Sequence, residues 1–148
     1  MRRRLAGGAA SGAVATLAMS GMMFAAQRAG LMGSMPPEKI TTVLIRRMGW
    51  RRPPEPARNA AAALLHLAFG AGAGALYGVF RLRRRLPGPP IVTGVLFAGG
   101  IWLVSYAGWV PAMGIMAPPP KDRPGRPESM IAAHVVFGAV LGALARRL

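Results

Sequence analysis

The sequence predicts an all-α fold in a lipid bilayer: a four-helix bundle built from two parallel helical-hairpin repeats. Three observations predict it. The chain has 148 residues, of which 53% are hydrophobic and only 16% charged. Its apolar residues gather into four long runs, with basic residues at the ends of those runs. One of the hairpin arms is written twice.

A membrane-crossing helix needs about 20 predominantly apolar residues to traverse about 30 Å of hydrocarbon. The first run extends from Leu5 to about Ala26, the second from Ala60 to Phe80, the third from Ile91 to Val110 and the fourth from Met130 to Ala145. At about 1.5 Å per residue the fourth is short, so it must borrow from Glu128 and Ser129 or thin the bilayer. None of the four shows the polar stripe that a water-facing helix carries. The first run also has the layout of a signal peptide, with Arg2 to Arg4 ahead of an apolar stretch. The internal repeat described below argues that it is retained as a span.

Nineteen Lys and Arg against four acids give a net charge of +15. In a soluble chain this would point to nucleic acid. Here the arginines flank apolar runs, as Arg2 to Arg4, Arg81 with Arg83 to Arg85, and Arg146 with Arg147. That is the distribution of membrane flanks, and it argues against a nucleic-acid partner. Placing these short clusters in the cytoplasm puts both termini inside, in a multi-pass protein of the bacterial inner membrane. The outer loops then hold all four acids, Glu38, Glu55, Asp122 and Glu128. The clusters also favour anionic lipid. With no cysteine, thiolate metal sites, disulfides and cysteine nucleophiles are excluded.

Between the first two runs, Pro36 and Pro37 suit a first helical turn, Ile40, Val43, Leu44 and Met48 share a face, and Gly49 suits a helix stop. The pattern predicts a helix over 36–48. It either lies in the headgroup region with Trp50 as anchor or packs across the end of the bundle.

An offset of 68 residues aligns the second and fourth runs: His66, Phe69, Gly70, Ala71, Gly74, Ala75 and Leu76 fall on His134, Phe137, Gly138, Ala139, Gly142, Ala143 and Leu144. The same offset pairs Pro56 with Pro124 and Arg58 with Arg126. Met32-Gly33-Ser34-Met35-Pro36-Pro37, after the first run, has a weaker echo after the third in Met113-Gly114-Ile115-Met116-Ala117-Pro118-Pro119. The repeating unit is therefore a hairpin of two spans. Two such units run parallel, with equivalent residues at equal depth. Gly70 with Gly74, and Gly138 with Gly142, read as faces for close helix packing, as do Gly8 and Gly12. Glycine-rich helices leave small-residue surface on which a homo-oligomer could form.

His66 and His134 lie roughly 7–10 Å below one membrane face, the outer one in this orientation. Trp102, Ser105, Tyr106 and Trp109 form a stripe of the third run that approaches the same level. Arg58, Arg126, Asp122 and Glu128 are placed at the rim. This polar patch is the candidate site. Ionisable groups within a membrane are costly and invite a functional explanation. Several readings stay open: interhelical hydrogen bonding, a pH response, since imidazole titrates near about pH 6.5, a small transporter or channel-like path, and a bis-histidine haem or metal carrier. A metal alone would need Asp122 or Glu128 as further ligands. The patch by itself calls for no cofactor. No histidine and acid stand near a serine in a nucleophile-elbow context, and all the acids are in loops, so no enzymatic activity is expected.

Residues 105 to 138 carry Met113-Gly114, Pro118-Pro119, Asp122, Glu128 and His134. In this they resemble the YagU type of uncharacterised bacterial inner-membrane proteins. The Met35-Pro36-Pro37 turn and the His66 helix are similar too, while much of that family's longer loop is missing. The resemblance implies a multi-span inner-membrane protein and supplies no reaction.

Overall fold

The computed structural model describes residues 2–82 and 88–145, so the arginine clusters Arg83–Arg85 and Arg146–Arg147 lie outside the described residues. Within them the chain is helical throughout, without strands: α1 (Arg2–Arg28), α2 (Pro36–Arg47), α3 (Glu55–Leu82), α4 (Pro90–Val104), a π-helical turn (Ser105–Trp109), α5 (Val110–Ala112), a single 3₁₀ turn (Pro119–Lys121) and α6 (Arg126–Leu144). Four stretches are long and apolar enough to cross a membrane: Leu5–Arg28, Glu55–Arg81, Pro90–Ala112 and Arg126–Leu144.

Proline and glycine set the boundaries. Prolines occupy the first turns of α2, α4 and α6, where the missing N–H costs nothing. Gly30, Gly33, Gly49, Gly88, Gly114 and Gly125 take positive φ in the connections. The fourth span begins at Arg126, four residues ahead of its apolar run. Its polar first turn is helical, and the length problem seen in the sequence disappears. In the third span, the ring of Pro111 removes the bond that its nitrogen would make to the carbonyl four residues back. The helix answers with a π turn just upstream, where the Val110 N–H reaches the Ser105 carbonyl.

The helices pack in sequence-adjacent pairs, α1 on α3 and α4 on α6, and the pairs meet through α1 on α6. Glycine sets both pair contacts. A Cβ placed on Gly74 would stand 2.6 Å from the Cα of Gly12, and one on Gly12 2.8 Å from the Cα of Gly74. In the second pair, a Cβ on Gly138 would stand 2.6 Å from the Cα of Val95, and one on Gly142 2.8 Å from the Cα of Ile91. These are backbone-to-backbone seams, which only glycine permits. Gly8 also meets backbone, of Gly74 and Ala75, whereas a Cβ on Gly70 would first meet the side chain of Thr16.

Because α1 and α6 lie between the outer helices, they are the more buried. Met19, Met23, Ala133, Phe137 and Leu141 form the centre of the core with Tyr77 and Tyr106. Leu64, Leu96, Leu103 and Val104, on α3 and α4, point outward and are mostly exposed. In water such a ring of large apolar side chains would be a liability; against acyl chains it is the expected exterior. The helix over 36–47 packs on α3.

Gly74→Ala is expected to cost about 1–3 kcal/mol of stability, because the added methyl has only backbone to displace. Gly72, one turn face away, has nothing within 4 Å of its would-be Cβ. Gly72→Ala is therefore expected to be neutral or to stabilise by up to about 1 kcal/mol. Unfolding of both variants in mixed micelles, followed by circular dichroism, checks the pair. Equal effects would refute the seam.

Candidate functional site: an apolar cavity holding both histidines

The glycine seams close the helices near one end of the molecule, and toward the other they part. A cavity of about 280 Å³ lies in the opening between α1, α3, α6 and the π turn, with α2 across it. Met19, Met23, Phe69, Ile101, Val110 and Phe137 make its walls apolar. His66 and His134 both line it, as do Ser105 and Tyr106. The sequence offset thus brings the two imidazoles to one chamber. Leu65 and Phe69 line it too, yet are 50% and 53% exposed, so the chamber reaches the apolar outer surface beside α3.

The two histidines are held differently. His66 Nδ1 lies 3.3 Å from the Ser20 hydroxyl of α1, a long contact between helices. His134 Nδ1 donates to the Met130 carbonyl of its own helix at 2.8 Å. That bond fixes the tautomer of the neutral ring and leaves Nε2 as an acceptor with no partner among the described residues. Only His66, then, acts as a bond between helices.

The stripe of the third span divides. Ser105, Tyr106 and Trp109 line the cavity, whereas Trp102 does not. Trp102 and Tyr106 are one helical turn apart, and the spacing that puts them on one stripe does not decide which of them meets the cavity. Ser105 returns its hydroxyl to the Ile101 carbonyl at 2.6 Å. Trp102 packs against Tyr106 with ring centroids 5.9 Å apart, and its buried Nε1 has no partner among the described residues.

The rim residues also divide. Asp122 accepts from Tyr106 Oη at 2.6 Å, from Arg126 Nη1 at 2.6 Å and from the Arg123 N–H at 2.7 Å. The Asp122 and Arg126 side chains are 3% and 6% exposed, a buried ion pair in which Arg126 Nε also donates to the Met32 carbonyl. With Arg123 Nη2 on the Gly30 carbonyl, this ties the α5–α6 connection to the end of α1. Arg58, equivalent to Arg126 under the offset, has no such bond, because the position matching Asp122 is Pro54. Glu128 is exposed and outside the ion pair.

No group of three or more His, Asp or Glu side chains is placed to hold a metal among the described residues. Asp122, proposed as a further ligand, is engaged by arginine and tyrosine.

Three residues that sequence reasoning passed over matter here. Thr41 and Thr16 line the cavity and are almost wholly buried. At the opposite end, Tyr77 donates to the Pro90 carbonyl at 2.9 Å and meets the Thr93 hydroxyl at 2.8 Å, joining α3 to α4. A tyrosine within an apolar span needs a partner for its hydroxyl, and that was the available signal.

Asp122→Ala is expected to cost about 3–5 kcal/mol, since it leaves the Arg126 guanidinium buried without a counter-charge. Tyr106→Phe, which removes one bond to a charged acceptor, is expected to cost about 1.5–3 kcal/mol. Asp122→Leu with Arg126→Met should be less damaging than Asp122→Ala. Melting temperatures in one detergent test the order, and a harmless Asp122→Ala would show the pair to be idle.

No curated protein and no solved structure is significantly similar to the chain. Over residues 2–148 it matches the family of unknown function DUF6789, and it belongs to that family.

Proposed function

We propose that this protein is a four-span protein of the bacterial inner membrane that binds an apolar small molecule in the cavity beneath α2, with His66 and His134 as its polar contacts. The observation that carries this is the form of the cavity: apolar walls, two imidazoles, and an opening toward the lipid-facing side at Leu65 and Phe69. A path for ions or water would be lined by polar groups along its length. A largely apolar chamber with a few placed polar groups is the usual form of a ligand site. The cavity lies at the low end of the size that such sites take. No catalytic constellation accompanies it, so binding or carrying is the proposed role, with no enzymatic step.

The same reading includes the architecture. Gly12 and Gly94 occupy corresponding places on their partners, 82 residues apart, while the partners Gly70 and Gly138 are 68 apart. The first hairpin connection is therefore 14 residues longer, and α2, with 12 residues, accounts for the excess. Two hairpins of one ancestry, one of them carrying an inserted helix that covers the cavity, explain both offsets. The arginine clusters favour cytoplasmic termini, which puts the cavity at the periplasmic side. The resemblance to YagU-type proteins agrees with an inner-membrane location.

Native mass spectrometry of the protein released from detergent is expected to show a discrete apolar adduct. Ala62→Phe, which places a ring in the cavity, should deplete it, and Gly72→Ala should retain it. A bare wild-type protein would overturn the binding role. Orientation is tested separately, because the chain has no cysteine of its own. Arg51→Cys should react with an impermeant maleimide on intact spheroplasts and Pro87→Cys only after lysis; the reverse pattern would invert the topology.

A further inference from the structure

Thr41 carries the inference. Its residue is 2% exposed, it lines the cavity, and its Oγ1 has no hydrogen-bond partner among the described residues. The neighbouring threonines do otherwise: Thr42 donates to the Glu38 carbonyl at 2.7 Å and Thr16 to the Gly12 carbonyl at 2.8 Å, each one turn back along its own helix. A buried hydroxyl left unpaired is costly, so its persistence needs a partner. His134 lines the same chamber, and with its Nδ1 committed to the Met130 carbonyl, Nε2 of the neutral ring only accepts.

We propose that the cavity takes a neutral, hydroxyl-headed amphiphile, an apolar chain or ring system ending in an alcohol or phenol. This rests on the binding role proposed above and specifies its ligand. A hydroxyl is the smallest group that both accepts from Thr41 and donates to His134 Nε2. Among the described residues no lysine or arginine lines the cavity to balance a carboxylate or phosphate head. The apolar walls and the lateral opening at Leu65 and Phe69 suit a tail arriving from the bilayer.

Trp109, on the cavity wall, supplies the readout. Four probes short enough to keep the bromine within the cavity are titrated into nanodiscs containing the full chain: 6-bromohexanol, its methyl ether, 6-bromohexanoate and bromohexane. Bromine quenches tryptophan at contact, and the site-specific part is what Trp109→Phe removes. The alcohol is expected to quench saturably at a mole fraction about fivefold to tenfold below that of the ether or the bromoalkane, the worth of one to two hydrogen bonds. Thr41→Val should abolish this preference, and Thr41→Ser, which restores the hydroxyl, should keep it. If the alcohol, ether and bromoalkane saturate alike, the binding role stands and the hydroxyl head is refuted. Tightest quenching by the carboxylate would refute the neutral head. If no probe saturates, the binding role itself fails.

Discussion

The structure depends on glycine-to-glycine contact between antiparallel helices. In a bilayer there is no hydrophobic drive to press one helix on another, since lipid is as apolar as leucine, so close van der Waals contact has to supply the association. Gly8 and Gly12 on Gly70 and Gly74, and Gly138 and Gly142 on the start of α4, bring backbones together where any side chain would intervene. All of these seams lie toward one end of the spans. Large side chains take over toward the other, where Met23, Phe69, Phe137 and Tyr106 keep the helices apart. The cavity is the consequence of helices clamped at one end and wedged at the other.

Polar groups follow the same division. At the clamped end, Tyr77 and Thr93 satisfy each other between α3 and α4. At the wedged end, the Asp122 carboxylate collects Tyr106, Arg126 and a backbone N–H, and the arginines extend the network to carbonyls at the end of α1. A buried ion pair contributes little net stability, but it is very sensitive to the loss of one member. Its effect here is positional: it holds the α5–α6 connection to the first hairpin and fixes Tyr106, a wall of the cavity. The π turn has a related role. It absorbs the defect that Pro111 creates, in the stretch that carries Ser105, Tyr106 and Trp109 on the cavity wall.

The two hairpins share glycine seams and histidines but differ in what surrounds them. Arg126 finds an acid one turn earlier; Arg58 finds a proline. The first hairpin has room in its connection for α2, and the second has a single 3₁₀ turn. The second hairpin thus closes its end with an ion pair, and the first spreads a helix over the opening. Thr41, on that helix, brings a hydroxyl without a partner among the described residues to the chamber.

Much of this was legible in the sequence, for physical reasons. Apolar run length marks the four long helices because a span must match the hydrocarbon thickness, and glycine at four-residue spacing marks the seams because only glycine lets backbones touch. The offset of 68 residues placed His66 and His134 at a common level, and the structure puts both on one cavity. What the sequence alone could not decide was partnership. Arg58 and Arg126 look equivalent in a list of residues, and only the neighbouring turn makes one buried and paired while the other is not. Trp102 belongs to the aromatic stripe by helical spacing, yet it packs against Tyr106 and stays off the cavity. The role of α2 and the unmatched hydroxyl of Thr41 depend on contacts between segments far apart in the chain. Periodicity records which face a residue occupies, and the tertiary structure decides what that face meets.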